Sequence, residues 1–189
     1  RHMGWAVLSG NIHKRNALLT STATYVAKTV SDVDTDPLLF NCKNGTLDLN
    51  DPANVKLRRH NPRDFNTRIS PVRFEKDKGC PKFLAFLEQI LPDPAVRLFI
   101  QQWAGISLTG DISVQSLVLM HGTGANGKST LDEVIRYILG DYAKTVGFAS
   151  LLRDDNRRGS EASPDLARLR GARAAFASEA NNAGLLAMY

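Results

Sequence analysis

The chain has 189 residues, 43% of them apolar and 23% charged, with a net charge of +5 and a pI near 9.4. This is the composition of an ordinary soluble globular protein, one large domain or a small domain joined to part of another. No run of eighteen apolar residues occurs, so a bilayer-spanning helix is excluded and no membrane partner is expected.

Cys42 and Cys80 stand far apart without a CxxC pair. His13, His60 and His121 have no carboxylates at metal-ligand spacing. Two reduced thiols are therefore expected, and no metal site made by protein ligands alone. Arg1-His2-Met3 reads as the remnant of an expression tag and is set apart from the fold argument.

Charge is unevenly spread. Residues 1–110 hold 15 Lys/Arg against 10 Asp/Glu, and residues 111–189 hold 9 against 9. Lys56, Arg58, Arg59, Arg63, Arg68 and Arg73, opposed only by Asp64, account for the whole excess. Such a cluster suits a nucleic-acid backbone, and it is equally the pattern of a solvated surface.

In chain order, Leu8 to Val30 has few breakers after Gly10 and reads as a helix. Leu18, Leu19, Tyr25, Val26 and Val30 are its candidate core contacts. Asp32, Asp34, Asp36 and Pro37 mark a loop. Leu38-Leu39-Phe40 and Thr46-Leu47-Asp48-Leu49 flank Asn44-Gly45, a β-hairpin signal. Residues 50–63 read as a connection to another extended piece near Arg68–Phe74.

Pro81 opens a helix with Phe83, Phe86, Leu87, Ile90 and Leu91 on one face. Asp93-Pro94 caps a second, in which Val96, Phe99, Ile100, Trp103 and Ile106 recur at helical spacing as core residues. Ser116 to Met120 is a compact apolar run suited to a strand buried on both faces. Ser129 to Leu139 reads as a helix with Leu131, Val134, Ile135, Ile138 and Leu139 inward, stopped by Gly140.

Between that run and that helix stands Gly-x-x-x-x-Gly-Lys-Ser, with Gly122, Gly127, Lys128 and Ser129 at the defining positions. Glycines at 122, 124 and 127 allow a turn whose amide N–H groups face inward and cradle phosphate oxygens. The following helix start adds its positive dipole end. Lys128 is placed to reach the β- and γ-phosphates, and the Ser129 hydroxyl to ligate magnesium. The segment Gly122, Thr123, Gly124, Ala125, Asn126, Gly127, Lys128, Ser129 and Thr130 is the expected site for ATP and Mg²⁺. Its acidic partner is expected where Ala174 to Ala177 ends as a strand, at Ser178-Glu179, after a helix over Asp165–Leu169 and a break at Gly171.

The runs Leu39 to Leu49, Trp103-Ala104-Gly105, Leu108-Thr109-Gly110-Asp111, Gly122 to Thr130 and Asp165 to Arg173 resemble one known group. This is the helicase region of phage- and plasmid-encoded primase–helicases, which includes satellite-phage and poxvirus replication proteins. Its motors are superfamily 3 helicases, a branch of the AAA+-like ATPases. The resemblance covers nearly the whole chain from about residue 15.

The resemblance implies an α/β fold: a helical and hairpin α+β module over 4–110, then over 111–189 part of a P-loop NTPase with an AAA+-like parallel sheet and flanking helices. It implies ATP-driven unwinding of DNA, as single strand or fork, by a ring, usually a hexamer, in the cytoplasm of a bacterial host. Lys128 and Glu179 would then be catalytic, Ser129 and Glu179 would hold the metal, and Glu179 would position the hydrolytic water. A sensor asparagine, a DNA-contacting hairpin and an arginine finger would follow Glu179 in that group. The sequence stops at Tyr189, so nucleotide binding with weak turnover by a truncated motor is expected.

Two other readings remain open. One is a small-molecule kinase using the same loop; against it, the sole lid-like arginines are Arg153, Arg157 and Arg158, in a loop that reads as a solvated connection. The other is a non-hydrolysing nucleic-acid-binding or oligomerisation module.

Overall fold

The computed structural model describes residues 11–122, 124–147 and 168–177, without the side chains of Thr24 and Val26. The fold mixes helix and sheet. Helix α1 spans Ile12–Val26, started by the Asn11 side chain, which accepts from the amides of His13 and Lys14. Strands β1 (Leu39–Cys42), β2 (Gly45–Asp48) and β3 (Lys56–Arg58) form an antiparallel sheet in that order. Helices α2 (Pro81–Ile90) and α3 (Pro94–Ile106) follow, each with proline in its first turn. Helix α4 is Lys128–Leu139, and β4 (Ala143–Thr145) pairs in parallel with β5 (Ala174–Phe176).

The hairpin forms one residue earlier than the turn signal suggests. Cys42 pairs with Gly45, so Lys43-Asn44 is the loop and Gly45 is the first residue of β2. Glycine is needed there because a Cβ would lie 2.5 Å from the Arg58 carbonyl oxygen on β3. Strand β3 lies inside the stretch expected to be a mere connection: it is three residues long and largely exposed, too short for a period-2 signal. The expected extended piece runs beside β1, where Ser70 N donates to Asn41 O and Lys43 N to Val72 O, each at 2.8 Å.

Several expectations are overturned. Leu18, Leu19 and Tyr25 of α1 are exposed, as is Val30 beyond its end, so they are not core. The α1 hydroxyls of Thr20, Ser21 and Thr22 donate to carbonyls one turn back, and its apolar side chains are too scattered to form a buried stripe. The side chain of Val26 lies outside the described ones. Ser116 to Met120 is not a strand buried on both faces, since it pairs with neither described sheet and Leu117 and Leu119 are 74% and 69% exposed. The ladder that β5 makes is with β4, and among the described residues the apolar run pairs with no strand.

The α2 expectation holds: Phe83, Phe86, Leu87, Ile90 and Leu91 pack on the core. On α3 the Asp93 cap holds, its carboxylate accepting from Ala95 N at 2.8 Å. Ile100 and Trp103 pack inward, while Val96, Phe99 and Ile106 are exposed. On α4, Leu131, Ile135 and Leu139 are buried at four-residue spacing, Val134 is half-buried and Ile138 is exposed.

Helix α4 ends at Gly140, which has φ +55° and leads into a 3₁₀ turn, Gly140–Tyr142. A side chain at Gly140 would collide with Pro71 and lie 2.8 Å from the Ile69 carbonyl oxygen.

Phe40, Cys42 and Leu47 share one buried cluster with Leu131, Ile135, Leu139, Tyr142 and Phe176. This core is continuous across the boundary expected at residue 110. Phe40 stacks on Tyr142 at 4.6 Å between ring centroids.

Candidate functional site

The glycine-rich segment leads into α4 through three residues of left-handed backbone: Gly124 at φ +92°, Ala125 at +46° and Gly127 at +82°. Gly127 sits at the N-cap and has no side chain to bond the helix's first amides, which also have no intrahelical acceptor. These donors sit at the positive end of the helix dipole.

The Lys128 ammonium turns back over the segment, donating to Asn126 Oδ1 at 2.9 Å and to the Gly122 carbonyl at 3.2 Å. A side chain at Gly122 would collide with the Asn126 amide. Helix α2 buttresses the segment from behind, since a Cβ at Gly127 would meet Ile90 Cγ2 at 2.5 Å and Phe86 Cε2 at 3.2 Å. The uncapped start of α4 and the Lys128 ammonium thus lie in one short segment, with Ser129 and Thr130 in the first turn of α4. A helix start without a side-chain cap, beside an ammonium, is the kind of arrangement that favours an anion.

Thr123, Ser178 and Glu179 lie outside the described residues, as do Arg153, Arg157, Arg158 and residues 165–167 of the expected helix before Gly171. Strand β5, which would carry Glu179 beyond its end, is placed firmly. Val146 N donates to Phe176 O and Arg173 N to Tyr142 O, both at 2.9 Å. Arg136 of α4 pairs with Asp132 at 2.7 Å, reaches Thr145 Oγ1 at 2.6 Å and lies 4.2 Å from the Phe176 ring centroid. The helix that starts at Lys128 is thereby fixed to both parallel strands.

The basic cluster divides. Lys56, Arg59, Arg63 and Arg73 are exposed, while Arg58 pairs with Asp64 at 2.8 Å. Arg68 is half-buried and structural, its guanidinium donating to the carbonyls of Asp141 (3.2 Å) and Arg170. Arg73 is carried apart from the others on the stretch beside β1, next to Phe74, whose backbone is bonded to Asn44.

Sequence reasoning missed Arg173. Its guanidinium donates to the carbonyls of Leu39 on β1 (2.5 Å) and Leu108 after α3, and packs 4.4 Å from the Tyr142 ring centroid and 5.5 Å from that of Phe40. Burial lowers its pKa from the usual arginine value, opposed by the Tyr142 hydroxyl and by Asp34 and Asp36. Tyr142 is shifted the other way, its phenol raised by burial. Its hydroxyl accepts from Asn41 N at 3.0 Å and donates to Arg68 O at 3.1 Å. A cation in a mostly apolar strand approach was the available signal for Arg173.

Residues 6–92 match the family described as D5 N terminal like. Similar proteins come from large DNA viruses. A protein named as a helicase, L207/L206 of Acanthamoeba polyphaga mimivirus, is 33% identical over 147 residues, 76% of this chain and 15% of that protein. A protein named as a primase, C962R of African swine fever virus, is 26% identical over 161 residues, 83% of this chain and 17% of that one. Frog virus 3 protein 022R, named as a helicase, is 30% identical over 111 residues, 59% of this chain and 10% of its own length.

The chain thus spans less than a fifth of the length of these relatives. Together these matches support the viral primase–helicase family. The hosts of these viruses are eukaryotes, so the bacterial setting expected from phage and plasmid proteins finds no support in them. Among the described residues no helix is long and apolar enough to cross a membrane.

Proposed function

We propose that this chain is the ATP-binding part of a DNA helicase or primase–helicase that acts in replication of a viral or other mobile genome, with a superfamily 3 motor working as a ring. The observation that carries the reading is the Lys128 ammonium, poised over a left-handed glycine segment at the uncapped start of α4. In that reading the amides of residues 124–130 and Lys128 bind the phosphates, Ser129 offers its hydroxyl to Mg²⁺, and Glu179 positions water. The match of residues 6–92 and the names of the viral relatives support the replicative context.

The test is titration of a fluorescent ATP analogue with magnesium, using wild type and Lys128→Ala. The reading expects saturable binding by wild type and at least a tenfold loss in the variant, with the melting temperature unchanged. Equal affinity of the two proteins would refute it. Phosphoryl transfer to small metabolites, indifferent to added DNA, would favour the kinase reading instead.

A further inference from the structure

A second cationic site lies away from the glycine segment. Residues 168–171 form a turn closed by Ala172 N donating to Leu169 O at 2.8 Å, with Gly171 at φ +70°. Arg68 holds this turn in place through the Arg170 carbonyl, and its side chain is packed so closely on Gly171 that a Cβ there would lie 2.8 Å from Arg68 Nε.

Across from the turn stands the loop around Asp34, at φ +52°. Its carboxylate accepts from Thr67 N at 2.7 Å and Thr67 Oγ1 at 2.5 Å. Both walls are therefore fixed to the same segment, Thr67-Arg68. Between them is a cleft of about 600 Å³, lined by Ser31, Asp34, Thr67, Arg68, Arg168 and Arg170 among others.

The chemistry of this cleft is one-sided. Three arginines and one aspartate line it; the Arg68 guanidinium is bonded to carbonyls, and the Asp34 carboxylate already has each oxygen bonded to Thr67. Arg168 and Arg170 are exposed, and neither takes part in an ion pair among the described residues. Thr67 and Arg68 also line the neighbouring hollow beside Asn61 and Pro62, so the cleft adjoins the segment that carries Arg63. The cationic surface is thus built from both sides of residue 110.

We infer that the cleft between the Asp34 loop and the 168–171 turn binds the phosphodiester backbone of a nucleic-acid strand, with Arg168 and Arg170 as its phosphate contacts. The inference rests on the nucleic-acid part of the proposed function and is independent of the glycine segment. Contacts of this kind position a strand without reading its sequence. Because the turn is held through the main-chain carbonyl of residue 170, removing the two side chains leaves the clamp in place.

The experiment measures binding of a labelled single-stranded oligonucleotide of mixed sequence to the 189-residue chain at 50 and 200 mM salt. Arg168→Ala/Arg170→Ala should bind more weakly at 50 mM. It should also lower the salt slope by about 1.4, from two contacts at about 0.7 each, so that wild type loses about 7-fold more affinity than the variant between the two salts. Arg168→Glu/Arg170→Glu should bind more weakly still. Both variants should keep wild-type melting and ATP affinity, which separates this result from a failure at Lys128.

Failure of wild type to bind the strand at 50 mM overturns the inference, as does a slope unchanged in the double variant or an equal loss from Lys76→Ala/Lys82→Ala. Displacement of the strand by pyrophosphate in the Lys128→Ala background, at concentrations matched to phosphate groups, would assign the cleft to a free nucleotide and overturn it too.

Discussion

Removing the Arg173 guanidinium should destabilise the whole chain, although its bonds and ring contacts among the described residues are all outside the glycine segment. The group makes two charge-assisted hydrogen bonds to carbonyls, worth about 1.5–3 kcal/mol each. It also stands over two aromatic rings, for about 0.5–2 kcal/mol more. Against this runs the cost of burying a cation with no carboxylate bonded to it among the described residues, several kcal/mol, which the variant recovers.

The net loss for Arg173→Ala is then about 2–4 kcal/mol, with the carbonyls of Leu39 and Leu108 left unpaired. At about 2–4 °C per kcal/mol for a chain of this length, melting should fall by roughly 10 °C. Urea unfolding followed by tryptophan fluorescence reads the free energy directly, since Trp103 packs edge-on to Phe176 in the same cluster. Arg173→Lys keeps the charge and loses the fork, and should fall between the two. A loss under about 0.5 kcal/mol for Arg173→Ala would show that desolvation cancels the bonds and that Arg173 ties nothing together.

Four further outcomes follow from the geometry. Gly140→Ala should cost about 1–3 kcal/mol in urea unfolding, because a left-handed φ and a backbone oxygen at 2.8 Å leave no place for the methyl group. Tyr142→Phe keeps the ring stack and loses both hydroxyl bonds, leaving Asn41 N without its acceptor, and should cost about 1–3 kcal/mol by the same assay. Cys42 is buried and its thiol is pushed up to about 11, so a thiol reagent at pH 8 should label exposed Cys80 and reach Cys42 only on unfolding; equal rates would place Cys42 at the surface. The same shift has a sign for stability: the folded thiol holds its proton from 9.0 to about 11 while the unfolded one releases it, so the contribution is full below pH 9 and declines through 11. Urea midpoints across that window should fall, less so in Cys42→Ala.

Local chemistry explains which parts were legible in the sequence. Pro81, Asp93-Pro94 and the α4 periodicity each encode a helix start or face within a few residues; both starts hold, and the α4 face holds except at Ile138. The glycine segment was legible because its turn requires residues tolerant of left-handed backbone, although Ala125 adopts that region without being glycine. Strand β3 was not, because three residues cannot display an alternation. The Ser116–Met120 run misled because apolar content says a segment seeks burial and does not say which strand will pair with it. Arg68 looked like one member of a basic surface, yet its partners are main-chain carbonyls 73 and 102 positions away, which no local pattern announces.

Because Phe40 and Leu47 share their core with Leu131, Ile135 and Leu139, occupancy of the glycine segment should be felt in the first sheet. A ligand present at a hundred times its dissociation constant raises the free energy of global opening by about 2.7 kcal/mol wherever amides exchange only through that opening. Leu47 lies in the middle strand of that sheet, in register with Phe40 and Leu57, far along the chain from Lys128. Slowed deuterium uptake at Leu47 on adding nucleotide would make the antiparallel sheet a remote reporter of the loop.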